Sequence, residues 1–312
     1  MHPARPELRS GLAYLDAVTV LLHDIRTAHP TAGLYDAAEV QWWWAQTARW
    51  TDRLGQLVWF DERGQPVAAV IATAFRDVTQ LDPIVMPDAT AEWVVHVMDR
   101  GLAHANGAGI GSVVLELDSL DQVLRRFLVA RNFAIEDGGG VVESWLTATD
   151  RPPVSPLADG YSLRRRLDIS GRVHHIANVR RHHSDPEARL RQTSLYRPDL
   201  DLVVYDGHDD VAAYGLFWYD PATRVGVAEP MRTEDDHQGR GLARHVLTSG
   251  IDRLVAAGAE RIKICFEPDN PVSTHLYLST GFVPARRNDL ASGPTGAGLG
   301  ARPEAERAKP SR

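Results

Sequence analysis
The chain repeats itself at about half its length. Val58-Trp59-Phe60-Asp61 leads through a turn to Val67-Ala68-Ala69, and Val203-Val204-Tyr205-Asp206 leads through a turn to Val211-Ala212-Ala213. Gly107 precedes the apolar run Val113–Leu117 as Gly258 precedes Ile262–Phe266, and Leu128–Phe133 parallels Tyr277–Phe282. The partners lie roughly 145 to 151 residues apart in a chain of 312. Each match is weak alone, but their shared order and offset are those of a duplicated domain. The boundaries that follow are a first domain over 1–150, a linker over the proline-containing stretch 151–160, a second domain over 161–290, and a tail over 291–312. That tail is rich in Gly, Ala, Pro and charge, lacks periodicity and is expected to be disordered.

Both halves read as helical segments, a two-strand hairpin, a third strand, a helix, a strand, a helix and a final strand. In the second half, Asp201–Tyr205 and Val211–Tyr219 are the hairpin, separated by Gly207, Asp209 and Asp210. Val225–Thr233 is a third strand. Gly241–Ala257 is a helix, because Leu242, Val246, Ile251, Leu254 and Val255 keep one apolar face and Gly258 suits the position after its end. Arg261–Phe266 is a strand. Asn270 as N-cap and Pro271 as first helical residue open a last helix that stops before Gly281. The class is α/β with a mixed sheet, present twice.

Composition excludes several functions. The formal net charge of −7 provides no basic field for nucleic acid, and the run Arg164–Arg166 reads as a solvated strand edge. Arg outnumbers Lys heavily, with only Lys263 and Lys309 present. Cys265 is the one cysteine, so no intrachain disulfide forms, which fits a reducing compartment. Met1–Ser10 lacks an apolar core of signal-peptide type, and no run approaches the ~18–20 apolar residues of a membrane span. A cytoplasmic protein without membrane or nucleic-acid partner, monomer or homodimer, is expected.

The junction His237-Gln238-Gly239-Arg240-Gly241-Leu242-Ala243 lies between a strand and a helix. Its glycines let successive N–H groups turn toward a phosphate, the helix N-terminus adds partial positive charge, and Arg240 and Arg244 add full charges. It is not a Walker loop, since no Gly-Lys-Ser/Thr follows, and it lacks the third glycine of a dinucleotide fingerprint. Gln238-x-x-Gly241-x-Ala243 resembles the signature Arg/Gln-x-x-Gly-x-Gly/Ala of the GCN5-related N-acetyltransferase (GNAT) family. Asn270-Pro-Val-Ser273-x-x-Leu276-Tyr277-x-x-x-Gly281-Phe282 resembles its second motif, and Glu229-Pro-Met231-Arg232-Thr233 lies where the family has a bulged fourth strand. The resemblance covers about residues 160–285. Ser273, Ala243 and Thr233 replace the family's usual Ala, Gly and Val.

The resemblance implies two tandem GNAT folds, each a mostly antiparallel twisted sheet whose fourth and fifth strands splay apart. It implies acetyl-CoA as acyl donor, with Met231, Arg232 and Thr233 offering backbone to the pantetheine arm. The pyrophosphate falls at Gln238, Gly239, Arg240, Gly241, Leu242, Ala243 and Arg244, and Asn270 joins the cofactor set. An amine is protonated at neutral pH and must lose a proton before attacking a thioester. The resemblance gives Glu229 as base, directly or through a water, and Tyr277 as the acid that meets the leaving thiolate. Period-two alternation puts Glu229, Met231 and Thr233 on one face. The expected reaction is acyl transfer to a primary amine, of a small molecule or of a protein; the alternative is a non-catalytic acyl-CoA-binding module.

The first half lacks this machinery. Its junction, Ile84 to Glu92, has no glycine, Arg or Gln and carries two carboxylates, while Leu128 stands at the tyrosine position and Asp121 at the asparagine position. One CoA site per chain is expected. No metal is expected: adjacent histidines on a helix diverge by about 100°, so His174-His175 and His182-His183 chelate poorly and read as exposed. Cys265 reads as a small core residue. The run Trp42-Trp43-Trp44, with Trp50, reads as core packing or as packing between domains.

Overall fold
Where turn and cap chemistry is written locally, the elements form as the sequence predicts. The structure is a computed structural model describing residues 5–46, 54–75, 78–169, 171–177 and 186–296. Trp50, His182, His183 and the tail beyond residue 296 lie outside the described residues. The first half runs β1 (Pro6–Arg9), α1 (Leu12–Ala28), α2 (Ala37–Gln46), β2 (Gln56–Phe60), β3 (Pro66–Phe75), β4 (Val78–Val85), α3 (Ala91–Gly107), β5 (Ser112–Asp118), α4 (Gln122–Ala130), β6 (Ala134–Glu136) and β7 (Val142–Thr147). The second runs β8 (Ser162–Arg165), α5 (Glu187–Leu190), β9 (Asp201–Tyr205), β10 (Val211–Asp220), β11 (Val225–Thr233), α6 (Leu242–Ala257), β12 (Arg261–Phe266), α7 (Pro271–Thr280) and β13 (Val283–Pro294).

Asp206 shapes the β9–β10 turn by accepting from the N–H groups of His208 and Asp210, both at 2.9 Å. α6 ends where Gly258 takes φ 111°, and α7 starts where the Asn270 side chain accepts from Ser273 N–H. The helical start expected of the second half is not found among the described residues. Among the described residues, 166–200 holds only 3-10 turns and the four-residue α5.

The strands join one sheet in the order β1-β2-β3-β4-β5-β13-β7-β12-β11-β10-β9-β8, with β6 on β13. Within it β4–β5 and β11–β12 are parallel and barely paired: Gln80 meets Val114, and Val225–Val227 meet Arg261–Lys263, before the strands diverge. These are the splayed fourth and fifth strands of each half.

The halves also exchange their last strands. β7 lies along β12, from Val142 opposite Phe266 to Thr147 opposite Arg261. β13 pairs with β7 over Val283–Arg287 and then with β5 over Asn288–Pro294. β13 thus continues past residue 291, where composition sets the start of the tail. Ala291 is fully buried, and a Cβ at Gly293 would fall within 2.5 Å of the Phe133 ring, so small residues there serve packing rather than disorder.

Three apolar layers result. α3 and α4 cover one face of the first half's strands, α6 and α7 cover the same face of the second, and α1 and α2 fill a core common to both halves. Trp42 and Trp44 are buried in that common core, and Arg189 of the second half lies 3.8 Å above the Trp44 ring. The stretch 151–160 forms neither helix nor strand and docks on α6: Ser155 N–H donates to Thr248 Oγ1 at 3.0 Å.

The histidine reading needs correction. His174 and His175 are buried, at 0% and 2% exposure, because His174 precedes and His175 opens a 3-10 turn, not an α-helix, and both rings meet Asp201 of β9.

Candidate active site
β11 leads to the site through a break in register. Phe217 faces Ala228 and Gly215 faces Met231, so Glu229 and Pro230 crowd the space of one residue. The bulge corrects the simple alternation. Met231 and Thr233 share the α6-side face with Gly215 and Ala213, whereas Glu229 sits in the bulge itself and its carbonyl accepts from Trp218 Nε1 at 2.8 Å. The bulge lies beyond Val227, where β11 has parted from β12. Beside this opening Thr233 Oγ1 is buried without a hydrogen-bond partner.

The loop after β11 makes one 3-10 turn at Asp235–His237 and enters α6 through Gly239 at φ 73° and Gly241 at φ 76°. Both are left-handed conformations that glycine adopts without strain. Gly241 is the N-cap and no side chain caps the helix, so its first N–H groups face outward from an exposed loop. Gln238, Gly239 and Arg240 are exposed there, while the Leu242 side chain is buried and leaves only its backbone to the loop. Gln238 Nε2 donates to Asp235 Oδ1 at 3.2 Å, and Arg232 pairs with the same carboxylate at 3.0 Å. Arg244 donates to Ser279 O at 3.3 Å, joining α6 to α7. Asn270 caps α7.

That cap positions Tyr277, whose ring packs against Phe266 and Phe282 with centroids 5.5 and 6.3 Å away. Burial, then the Glu229 charge, push its phenol up to about 12. The Glu229 charge therefore reaches the Tyr277 phenol.

The first half shows the contrast in atoms. Thr90 Oγ1 accepts from Trp93 N–H at 3.3 Å, so α3 caps itself where α6 is open. Asp82-Pro83 stands in the place of Glu229-Pro230, a likeness readable in the repeat, but β4 has no bulge: Ile71, Val70 and Ala69 face Asp82, Pro83 and Ile84 in unbroken register. Asp82 is fully buried, its Oδ1 accepting from Tyr35 Oη and Gln80 Nε2, both at 2.8 Å. Leu128 is core, and Asp121 caps α4 as Asn270 caps α7.

Sequence reasoning missed the ionic cluster beside the splay. Lys263 Nζ donates to Leu34 O at 2.7 Å, Glu39 Oε2 at 2.8 Å and Asp36 Oδ2 at 3.0 Å, with Glu143 Oε2 at 3.4 Å. Arg26 grips both Asp36 oxygens at 2.8 Å. Burial alone would lower the Lys263 pKa, but Glu39, Asp36 and Glu143 outweigh it and hold the ammonium well above its usual value. Burial raises Glu39 against the pull of Lys263, whereas Lys263 and Arg26 overcome burial to lower Asp36. Cys265 Sγ lies 3.6 Å from Glu39 Oε1, and burial, then nearby carboxylates against Lys263, push the thiol well above its usual range. The cluster ties α2 of the first half to β12 of the second. The rarity of lysine in this chain was the only hint of it.

Residues 171–282 match the model of the acetyltransferase (GNAT) family. A mycothiol acetyltransferase of Sanguibacter keddieii is 30% identical over 229 residues, covering 63% of this chain and 71% of that protein. One of Beutenbergia cavernae is 27% identical over 193 residues, covering 58% and 62%. Among solved structures, a GCN5-related N-acetyltransferase from Sphaerobacter thermophilus superimposes with TM-score 0.61 at 16% identity, covering 96% of this chain and 98% of that one. A tandem GNAT protein from the clavulanic acid biosynthesis pathway does so with TM-score 0.67 at 12% identity, covering 94% and 98%. The chain belongs to the GNAT acetyltransferase family, and its fold is the tandem form.

Proposed function
We propose that the second half transfers the acetyl group of acetyl-CoA to a primary amine by direct attack in a ternary complex. What supports this reading is an uncapped helix terminus at Gly241 together with a buried Tyr277 phenol that the Glu229 charge raises further. The N–H groups at the start of α6, with Arg240 and Arg244, would take the pyrophosphate. Backbone groups of Met231, Arg232 and Thr233 would take the pantetheine amides, and the orphaned Thr233 Oγ1 suits a polar ligand atom. Asn270 serves through the α7 cap.

Glu229 removes a proton from the bound ammonium, and the free amine adds to the thioester carbonyl. The oxyanion is met by a backbone N–H near Met231. As the intermediate collapses, the C–S bond breaks, the Tyr277 hydroxyl delivers its proton to the thiolate, the second amine proton restores the Tyr277 hydroxyl, and the proton held by Glu229 passes to water. A phenol raised to about 12 remains protonated throughout the neutral range, as an acid must.

The two relatives named mycothiol acetyltransferases favour a small-molecule acceptor of the mycothiol series. The lone Cys265 suits a reducing compartment, and we propose that the reaction runs in the cytoplasm; no helix among the described residues is long and apolar enough to cross a membrane. Purified protein given acetyl-CoA and a panel of amines, mycothiol precursors included, should release free CoA thiol in step with acetylated product. Tight CoA binding without release across that panel would replace this reading with a non-catalytic acyl-CoA-binding module.

A further inference from the structure
The pair His174-His175 takes no part in this chemistry. His175 opens a 3-10 turn, so the 100° divergence of neighbours on an α-helix does not apply. The rings lie tilted against each other, with centroids 4.2 Å apart and 33° between planes, and both direct Nε2 toward Asp201, the first residue of β9. The His174–Oδ2 and His175–Oδ1 separations are both 2.9 Å, and ligand atoms of the three residues lie within 4.8 Å of one another. Asp201 is fully buried, like the histidines.

The second contact has the length of a hydrogen bond without its direction. Neither His175 Nε2 nor Asp201 Oδ1 has a hydrogen-bond partner, although both are buried. Whichever nitrogen carries the ring proton, the two atoms approach without a directed hydrogen bond, and an ion held between them would satisfy both. Tetrahedral zinc, with bonds of about 2.0–2.1 Å, sets neighbouring ligand atoms about 3.3 Å apart, a few tenths beyond the separations here.

We propose that His174, His175 and Asp201 form a structural Zn2+ site, with Glu187 as fourth ligand. Glu187 Oε2 is 3.9 Å from His174 Nε2 and is oriented by Arg166 Nε at 2.9 Å. Tyr196 Oη donates to Asp201 Oδ2 at 2.8 Å and fixes the carboxylate from outside the ligand set. Two imidazoles and two carboxylates suit Zn2+, and four protein ligands leave no open position, which makes the site structural. Loading requires the His174 proton on Nδ1, so the long 3.3 Å bond that Nδ1 accepts from Ile176 N–H opens when the ion enters. The location gives the ion a purpose. Between β8 and β9 the described chain has almost no regular helix, and the site pins it to the sheet.

The test is a titration of the chelator-stripped full-length chain with Zn2+, and with Co2+ as a spectroscopic stand-in. One equivalent should bind, Co2+ should give the strong visible absorption of a four-coordinate site, and Zn2+ should raise the melting temperature. His175→Gln should weaken zinc binding more than about 100-fold, and Tyr196→Phe about 10- to 100-fold. The proposal is overturned if the wild type binds no saturating equivalent, or if neither substitution changes the affinity. Should His175→Gln fail to fold, the wild-type cobalt spectrum and Tyr196→Phe decide between the same two outcomes.

Discussion

Replacing Lys263 with Met tests whether the two halves are held together by buried charge. The substitution keeps most of the side-chain volume and removes one ammonium from among three carboxylates. Asp36 retains both bonds from Arg26, and Glu143 retains Trp145 Nε1 at 2.8 Å. Glu39 loses most, keeping the Asp36 N–H at 2.7 Å and the weak Cys265 contact. Breaking a buried pair by removing one partner costs about 3–5 kcal/mol. Glu39 can limit that cost by taking up a proton, so about 3 kcal/mol is expected, or roughly 5 °C in melting temperature at about 2.1 cal/mol/K of unfolding entropy per residue.

The pH dependence has a definite sign. The Glu39 pKa is raised on folding and rises further without Lys263. A raised carboxyl contributes stability below its unfolded pKa and loses it as pH climbs through the folded one. The deficit of Lys263→Met should therefore be larger at pH 8 than at pH 5, and Glu39→Gln in the same chain should recover about 1–3 kcal/mol. Urea unfolding followed by tryptophan fluorescence at both pH values measures all three quantities. A deficit below about 1 kcal/mol, or one equal at the two pH values, would refute the reasoning.

Three further outcomes follow from the site. Gly241→Ala puts a Cβ at φ 76° where nothing lies within 4 Å, so stability should fall by only about 1–2 kcal/mol while acetyl-CoA binding, measured by calorimetry, weakens about 10-fold. Glu229→Gln should lower turnover about 10²- to 10⁴-fold in a thiol-release assay with acetyl-CoA affinity nearly unchanged; a loss confined to affinity would make Glu229 a binding residue. The tyrosinate absorbance lost in Tyr277→Phe should titrate near 12, and because that pKa is raised on folding, the stability Tyr277 contributes is present below about 10 and disappears as pH rises through about 12. A midpoint at 10 would contradict its burial beside Glu229.

What was legible in the sequence was local. Asn270, Pro271, Gly258 and Gly281 act within a turn of where they stand, so the ends of α6 and α7 follow from residue chemistry. The exchange of β7 and β13 was not legible, because alternation specifies which face a residue takes and not which strand lies beside it. Lys263, between Ile262 and Ile264, reads as an outward residue, yet α2 of the other half covers that face. His174 and His175 misled because a helix was assumed where a 3-10 turn forms. In the site, the motif placed the Gly241 terminus, but the bulge at Glu229-Pro230 had to be seen before the alternation across it could be corrected.

The most direct test of the central claim measures Tyr277→Phe twice, for acetyl-CoA binding and for turnover with an accepted amine. One equivalent of acetyl-CoA per chain, bound within about 3-fold of wild-type affinity, together with turnover lowered about 10²-fold or more, is what a single acyl-transfer site in the second half predicts. Two equivalents per chain, or unchanged turnover, would contradict it.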